Sequence, residues 1–141
     1  MADYFAGNSN FEIKLAWVVP DEFDDIQRAI LDATGDPSIS LVLTSGGTGL
    51  TAWDVTPEAT WAILERNCSH IITYIMIESL KITPFACLSW AECGVIGNCL
   101  VLNLPGKPKA VKENLNIVEK SGVLKAAVSS VSGGEAACHQ K

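Results

Sequence analysis

A glycine-rich loop is the first feature of the sequence that could carry chemistry. It reads Thr44-Ser45-Gly46-Gly47-Thr48-Gly49 and directly follows a short apolar run. Glycines let the backbone approach a ligand closely, and their N–H groups can then bind phosphate oxygens, to which the Thr44, Ser45 and Thr48 hydroxyls would add donors. No Gly-Lys-Ser or Gly-Lys-Thr follows, so this is not a Walker A loop. The loop therefore indicates either phosphate binding or a plain turn between a strand and a helix.

Two aspartates are placed where they could serve the same ligand. Asp54 comes five residues after Gly49 and just before a predicted helix, and Asp21 follows a different predicted strand. A carboxylate beside phosphates needs a cation between them, and Mg²⁺ is the natural one. The alternatives are that Asp54 accepts hydrogen bonds from N–H groups of its own loop and that Asp21 caps the helix after it.

A second loop and a serine complete the set of candidates. The run Pro105-Gly106-Lys107-Pro108 is rigid, exposed and cationic, and it follows another apolar run. Taken alone it is only a turn. Ser89 has no acid–base partner nearby, because His70 and His139 lie far from it in the sequence. A Ser-His-Asp triad therefore finds no support.

The elements that must position these residues alternate between strand and helix. Residues rich in β-formers predict strands at 12–19 and 41–44, short strands joined by a turn at 85–90 and 94–104, and a buried strand at 100–104. Apolar spacing and capping signals predict helices from 21 to 34, from 56 with a break through 71–80, and from 110 to 119. The apolar face of the first helix is predicted at Phe23, Ile26, Ile30 and Ala33, and Trp61 is predicted to be core.

This alternation predicts an α/β fold, a doubly wound and mostly parallel sheet with helices on both faces. In such sheets ligands bind beyond the carboxyl ends of the strands. Because residues 45–49 and 105–108 each follow a strand directly, we expect both loops at the same edge of the sheet.

The composition suits one folded domain. Of 141 residues, 48% are hydrophobic and 18% charged, and the net charge is −6.

The absence of a basic run argues against nucleic acid as a partner. The absence of a long apolar stretch or a signal peptide predicts a cytoplasmic protein with no membrane partner. Five cysteines without a Cys-x-x-Cys pair predict reduced thiols, and Cys138-His139 alone does not make a metal site.

The predicted domain spans residues 12–128. Residues 1–11 precede it as an N-terminal extension, and residues 129–141, which are small and polar, are predicted to form a flexible tail.

Taken together, these segments resemble the molybdopterin-binding family, which includes Mog-like proteins, the gephyrin G domain and plant molybdenum-cofactor domains. The resemblance lies in four separated runs: Val19-Pro20-Asp21-Glu22, then Thr44 to Gly49 followed by Asp54-Val55-Thr56-Pro57-Glu58-Ala59-Thr60, then Glu78 to Ala86 with Leu88-Ser89, and Leu102 to Lys109 with Lys112-Glu113.

The resemblance implies an activity, namely transfer of adenylate from Mg-ATP to the terminal phosphate of molybdopterin. It implies that Asp21 and Asp54 are the acidic catalytic and Mg²⁺-binding residues. It also implies that residues 44–49 hold a phosphate of the nucleotide or the pterin, and that Ser89 and residues 105–108 contact ligand. A homotrimer is implied as well, and a partnership with a molybdate-inserting domain is left open.

Two departures from the family pattern bear on that activity. The family begins with an additional strand inside the sheet, whereas only residues 1–11 precede the first predicted strand here, so we expect exposed apolar surface and an incomplete substrate site. The family also has arginines where this chain has Trp53, Trp90 and Ile96, and arginine binds phosphate bidentately whereas tryptophan does not. The two tryptophans could instead stack on a flat ligand or pack at an interface. The alternative to an enzyme is therefore a catalytically impaired binding or scaffold module of the same family.

Overall fold

The structure, a computed structural model, describes residues 1–6 and 10–133. A mixed four-stranded sheet lies at the centre of this part of the chain. Its strands are β1 (Leu41–Ser45), β2 (Arg66–Asn67), β3 (Cys93–Ile96) and β4 (Cys99–Leu104), in the order β1-β4-β3-β2. β1 and β4 are parallel, whereas β3 pairs antiparallel with both β4 and β2. The α/β class is confirmed, but the share of parallel pairing is smaller than predicted. The reason is the tight β3–β4 turn, where Gly97 has a φ of 58°, since a two-residue connection permits only antiparallel pairing.

Helices flank this sheet. They are α1 (Ala2–Phe5), α2 (Phe23–Thr34), α3 (Thr56–Trp61), α4 (Ser69–Leu80), α5 (Pro108–Lys120) and α6 (Val123–Val131), and a 3₁₀ helix spans Pro84–Leu88. The predicted helices at 21–34 and 110–119 are thus confirmed to within two residues. The helix predicted from residue 56 is two helices, α3 and α4, with β2 in the break between them.

The central strand β4 carries the core on both of its faces. Leu100, Leu102 and Leu104 pack in one apolar cluster with residues of α5 and α6, whereas Val101 packs in another with residues of α2 and α3. Because successive side chains of a strand point to opposite faces, one fully buried strand holds helices on both sides. Helices on both faces of the sheet were predicted and are found.

The strand predicted at residues 12–19 does not form. The chain runs through these residues without helix, turn or bend, yet no part of them joins the sheet. Val18 is 99% exposed and Trp17 is half exposed. A β-rich sequence becomes a strand only if a neighbouring edge accepts its hydrogen bonds, and the edge of β1 lies across a cleft. We call residues 12–19 the unpaired segment.

Four smaller predictions were also wrong. Residues 85–90 form no strand, because Pro84 and the Thr83 side chain, which accepts from Phe85 N at 3.3 Å, begin a 3₁₀ helix instead. Trp61 is exposed rather than core, since it ends the short helix α3 on its outer side. Phe23 is likewise 41% exposed, at the first position of α2. α6 reaches Val131, so residues 129–131, predicted to belong to the frayed tail, are helical.

No helix within residues 1–6 and 10–133 is long and apolar enough to cross a membrane. Cys138 and His139 and the end of the predicted tail lie outside the described residues.

Candidate active site

The two predicted loops are in contact at the carboxyl ends of β1 and β4. Gly46 N donates to Leu104 O at 3.1 Å, and Ser45 Oγ donates to Pro105 O at 2.9 Å. This contact follows from the parallel register, which places Ser45 opposite Leu104. The sequence-based expectation that residues 44–49 and 105–108 share one edge of the sheet is confirmed.

The first of these loops needs glycine for its backbone and for its neighbours. Gly46 and Gly47 have φ of 97° and 66°, a region that favours glycine. A Cβ at Gly47 would collide with the Thr56 hydroxyl and would lie 3.5 Å from Asp21 Oδ1. Thr56 N donates to Gly47 O at 3.2 Å, which ties the loop to the start of α3. The loop is therefore closely packed on one side, and Asp21 stands beside it.

Ser89 is brought to the same loop from 41 positions further along the chain. Its Oγ lies 3.3 Å from Thr48 Oγ1, and the next residue, Trp90, donates its backbone N–H to Thr48 O at 2.7 Å. These two bonds place the end of the 3₁₀ helix against the glycine loop. The result is a pair of neighbouring hydroxyls, each able to donate or accept a hydrogen bond.

Asp54 is held by its own loop. Its Oδ2 accepts from Thr51 N at 3.0 Å and from Thr51 Oγ1 at 2.6 Å. The Thr51 hydroxyl bond, then the Thr51 backbone bond, and a further bond from Gly49 N lower the pKa of Asp54 below its usual range. A Cβ at Gly49 would lie 2.7 Å from Oδ2, so glycine is needed there for the carboxylate to sit where it does. The alternative that Asp54 accepts hydrogen bonds from its own loop is therefore correct. These bonds do not exclude ligand binding, because a carboxylate has more lone-pair sites than they fill.

Asp21 does not act as the cap of α2. The N-cap residue is Glu22, and it makes no side-chain capping bond. Asp21 instead lines a cleft together with Thr44, Ser45 and Thr56, at the edge of the sheet where the glycine loop lies. The helix-cap alternative is wrong, because Asp21 lies one residue before the cap position, which Glu22 occupies.

The second loop leads directly into a long helix. Lys107 is the N-cap residue of α5, with Pro108 as its first residue. A Cβ at Gly106 would lie 3.4 Å from Gly46 Cα, so the two loops approach as closely as ordinary contact allows. The positive end of the α5 dipole and the Lys107 side chain therefore lie next to the glycine loop, an arrangement that favours anions.

Asn103 joins the site from below, and the sequence reasoning missed it. It is 1% exposed, and its Nδ2 donates to Thr44 Oγ1 at 2.8 Å and to Thr60 Oγ1 at 3.0 Å. Its Oδ1 accepts from Glu92 N at 3.0 Å. One amide thus ties β1, α3 and the start of β3 together beneath the loop. The available signal was a single polar residue inside the apolar run of 100–104.

The three positions at which the family has arginine behave differently from one another. Trp53 is 74% and Trp90 54% exposed, so both rings are accessible beside the loops. Ile96 is buried and packs with Val101 against α2 and α3, so this position belongs to the core. Burial raises the pKa of Glu92, while hydrogen bonds from the Asn67 and Trp90 side chains act the other way.

No group of three or more His, Cys, Asp or Glu side chains within the described parts of the chain is arranged to hold a metal ion. A cation at this edge would therefore rest on one or two aspartates together with water and ligand oxygens. Mg²⁺ is commonly bound in that way in phosphoryl-transfer sites.

An α/β sheet with a glycine loop, a second loop and aspartates at its carboxyl edge is the kind of site that phosphate-bearing ligands use in this class of protein. The chain belongs to the molybdopterin-binding domain family, since the family described as "probable molybdopterin binding domain" matches residues 2–123. The resemblance inferred from the motifs is confirmed.

Individual relatives agree with this assignment. The molybdopterin adenylyltransferase of Escherichia coli K12 is 41% identical over 103 residues, which are 72% of this chain and 52% of that protein. The molybdenum cofactor synthesis protein cinnamon of Drosophila melanogaster is 49% identical over 96 residues, which are 68% of this chain and 16% of that protein. The crystal structure of the molybdopterin biosynthesis enzyme MoaB from Thermus thermophilus superposes with a TM-score of 0.84 at 39% identity, covering 94% of this chain and 81% of that one. The chain thus spans about half, or less, of the length of the two curated relatives.

Proposed function

We propose that this chain binds molybdopterin and Mg-ATP and transfers adenylate to the terminal phosphate of the pterin, giving molybdopterin adenylate and pyrophosphate. The observation that carries the proposal is the contact between the glycine loop and the Pro105–Pro108 loop, with Asp21 and Ser89 beside it. The names of the bacterial relatives, molybdopterin adenylyltransferase, give the reaction that such a site would serve.

In this proposal the glycine loop binds phosphate oxygens. Backbone N–H groups of residues 46–49 and the hydroxyls of Thr44, Ser45, Thr48 and Ser89 supply neutral donors. Lys107 and the amino end of α5 add positive charge from the adjoining loop. Hydrogen bonds to a charged group contribute about 1.5–3 kcal/mol each, so each of these donors should add measurably to phosphate affinity.

Asp54 and Asp21 are the proposed Mg²⁺ ligands. The Asp54 carboxylate is ionised in the neutral range, as a metal ligand requires, and its lowered pKa extends the ionised form to more acidic pH. Its attachment to Thr51 fixes its position before any ligand arrives, so no ordering of a free side chain is needed. The ion, when bound, neutralises charge on the phosphates of ATP.

The proposed reaction is a direct displacement. An oxygen of the terminal phosphate of molybdopterin forms a bond to the α-phosphorus of ATP. The bond from that phosphorus to the oxygen bridging to the β-phosphate breaks, and pyrophosphate leaves with the bonding electrons. No covalent enzyme intermediate is needed, which agrees with the lack of an activated serine at Ser89. The protein's part is to position the phosphates and stabilise their charge.

One observation favours a second candidate, a module of the same fold that binds or assembles without full catalysis. Trp53 and Trp90 occupy two exposed positions beside the loops where the family is expected to have arginine. Their rings can stack on a pterin or an adenine, but they supply no bidentate phosphate contact. The relatives named gephyrin and cinnamon are much longer than this chain, which spans 14% and 16% of them.

The proposal extends to assembly and location. A homotrimer is proposed, supported by the exposed apolar side chains of the α4–3₁₀ region, which include Ile77, Ile82, Phe85 and Leu88. A molybdate-inserting domain is the proposed consumer of molybdopterin adenylate, and the cytoplasm is the proposed location.

Isothermal titration of the purified chain with molybdopterin and with Mg-ATP tests the proposal, after the mass in solution has been measured. Micromolar binding of both ligands is expected, with ATP binding lost when Mg²⁺ is removed by a chelator. A folded oligomer that binds neither ligand would contradict the proposed enzyme activity and would favour the second candidate, a module that assembles without catalysis.

A further inference from the structure

A cleft of about 630 Å³ separates strand β1 from the unpaired segment. Residues 38–45 form one wall and residues 10–19 the other. Its lining is largely apolar, with side chains from both layers of the fold: Phe5, Phe11, Ile26, Ile30 and Ala33. One end of the cleft reaches Asp21, and the other lies at the start of β1.

The outer edge of β1 presents backbone groups that have no strand partner. On the inner edge, Leu100 N donates to Ser40 O at 3.0 Å, and the parallel pairing with β4 continues from there. Alternate residues of a parallel strand bond to the same neighbour. The N–H and C=O groups of Leu41, Leu43 and Ser45 therefore point away from β4 and into the cleft.

The opposite wall is unpaired as well. Among the described residues, no backbone-to-backbone hydrogen bond joins residues 12–19 to any other part of the chain. The segment alternates in the manner of a strand, with Ile13, Leu15, Trp17 and Val19 at every second position. The sequence of this segment is typical of a strand, but no other described strand pairs with it.

Both walls run in the same direction. Phe11 contacts Phe5, with ring centroids 6.4 Å apart, and packs in the same cluster as Leu41 at the start of β1. At the other end, Asp21 lies beside Gly47, just after the end of β1. The cleft therefore presents two unpaired backbone edges side by side.

We propose that this cleft is a docking site for one β-strand of another polypeptide, which pairs with β1 on one side and with the unpaired segment on the other. Only an extended peptide offers donors and acceptors to both edges, since a lipid or a flat cofactor leaves the backbone groups unpaired. Because the lining is apolar on both faces, the strand carries apolar side chains on both faces, as central strands do. Five or six residues, roughly 17–20 Å, match the length of β1.

The test uses the full chain and a synthetic peptide of eight residues, with six central valines and isoleucines and a lysine at each end. A control peptide of the same sequence carries N-methyl groups at alternate central residues, which removes one row of donors. We expect saturable binding of the first peptide, followed by tryptophan fluorescence and by NMR, with amide exchange of Leu41, Leu43 and Ser45 slowed at least about tenfold. The methylated peptide should bind at least about tenfold more weakly.

Two variants of the chain localise the effect. Leu15→Asp places a charge on the wall of the cleft, whereas Leu31→Asp places it on α2 outside the lining. Both side chains are about half exposed, at 51% and 45%, so neither change should unfold the protein. Leu15→Asp should weaken peptide binding at least about tenfold, and Leu31→Asp should leave it unchanged.

Three results would overturn the proposal. The first is equal binding of both peptides, which would show apolar adhesion without strand pairing. The second is no binding at millimolar peptide. The third is protection of the β1 amides from exchange when no peptide is present. If that protection disappears on dilution, a second copy of the chain fills the cleft. If it disappears on deletion of residues 134–141, the chain's own end fills the cleft. The adenylate-transfer proposal is tested separately, because ligand titration measures binding at the loops whereas peptide binding measures occupation of the cleft.

Discussion

Thr51 donates two hydrogen bonds to the same oxygen of Asp54, from its backbone N at 3.0 Å and from Oγ1 at 2.6 Å. The two bonds close a small turn between the glycine loop and α3, so that the Asp54 carboxylate is held by nearby residues of the same loop. A ligand-binding aspartate of this kind is prepared before its ligand arrives. Its position depends on one hydroxyl and one glycine, and both can be changed singly.

Thr51→Val should raise the pKa of Asp54 towards its usual value, because the hydroxyl bond is the largest cause of the lowered pKa. A lowered carboxylate pKa stabilises the folded chain above the ordinary pKa, and this stabilisation is lost as the pH falls through the lowered value. The variant should therefore lose the ionised form of Asp54 at a higher pH. NMR titration of the Asp54 carboxyl carbon measures this.

Thr73→Val is the control for that experiment, since the Thr73 hydroxyl bonds only to a carbonyl of its own helix. It should leave the Asp54 titration unchanged. An Asp54 pKa that is the same in Thr51→Val and in the parent chain would contradict the assigned cause.

Gly49→Ala should displace Asp54 without unfolding the chain. The added methyl would lie 2.7 Å from Asp54 Oδ2, too close for any real contact, and the partly exposed Asp54 side chain is the part that can move. We expect a loss of about tenfold or more in Mg-ATP affinity. Gly106→Ala is the matched control, because its methyl meets only Gly46 Cα at 3.4 Å, and it should have a smaller effect. Equal effects of the two changes would show that loop crowding, not Asp54, matters.

Asn103→Leu should destabilise the fold by about 2–4 kcal/mol. The change removes a buried amide and leaves Glu92 N and the Thr44 hydroxyl without their partner, and unsatisfied buried groups cost about 1–3 kcal/mol each. Urea unfolding measures the free energy. Asn67→Leu, at an exposed position with one 3.3 Å bond, should change it by less than about 0.5 kcal/mol. A small effect at Asn103 would show that the amide is replaceable by packing.

Thiol labelling should separate the cysteines by burial. Burial raises the pKa of Cys99 to about 11 and that of Cys93 still further, so both are thiols at neutral pH and both are inaccessible. Cys87 is exposed. At pH 8 we expect Cys87 to react at least about tenfold faster than Cys93 and Cys99, which should react only after unfolding in urea. Peptide mapping by mass spectrometry assigns each label. Fast labelling of Cys93 in the folded chain would contradict the packing of β3.

The convergence of the two loops was predictable from sequence because it follows from a general property of parallel strands. Once residues 41–44 and 100–104 are both strands followed directly by a loop, the loops meet at one edge, and the structure places Gly46 against Leu104 there. The helices α2 and α5 were predictable for a similar reason, since their apolar spacing and their end signals are local.

Other parts of the site depend on long-range contacts that no local pattern encodes. The bond between Thr48 and Ser89 requires a 3₁₀ helix where β-formers predicted a strand. Asn103 looks like an interruption of an apolar run until Thr44 and Thr60 are seen around it. The unpaired segment has the composition of a strand, but a strand also needs a neighbour, and composition does not report whether one is present.

The most direct test of the proposed function is adenylate transfer by the purified chain, supplied with molybdopterin and Mg-ATP and followed by the formation of molybdopterin adenylate and pyrophosphate. Asp36→Asn is the matched control for Asp54→Asn, because Asp36 is a partly exposed turn aspartate that likewise accepts a backbone and a hydroxyl bond from one residue, Ser38 N and Oγ, before β1 rather than after it. We expect transfer by the parent chain and by Asp36→Asn, and at least about a hundredfold loss in Asp54→Asn with the mass in solution unchanged. Transfer that survives in Asp54→Asn, or that is absent from a folded parent chain which binds both substrates, would contradict the assignment of this site to adenylate transfer.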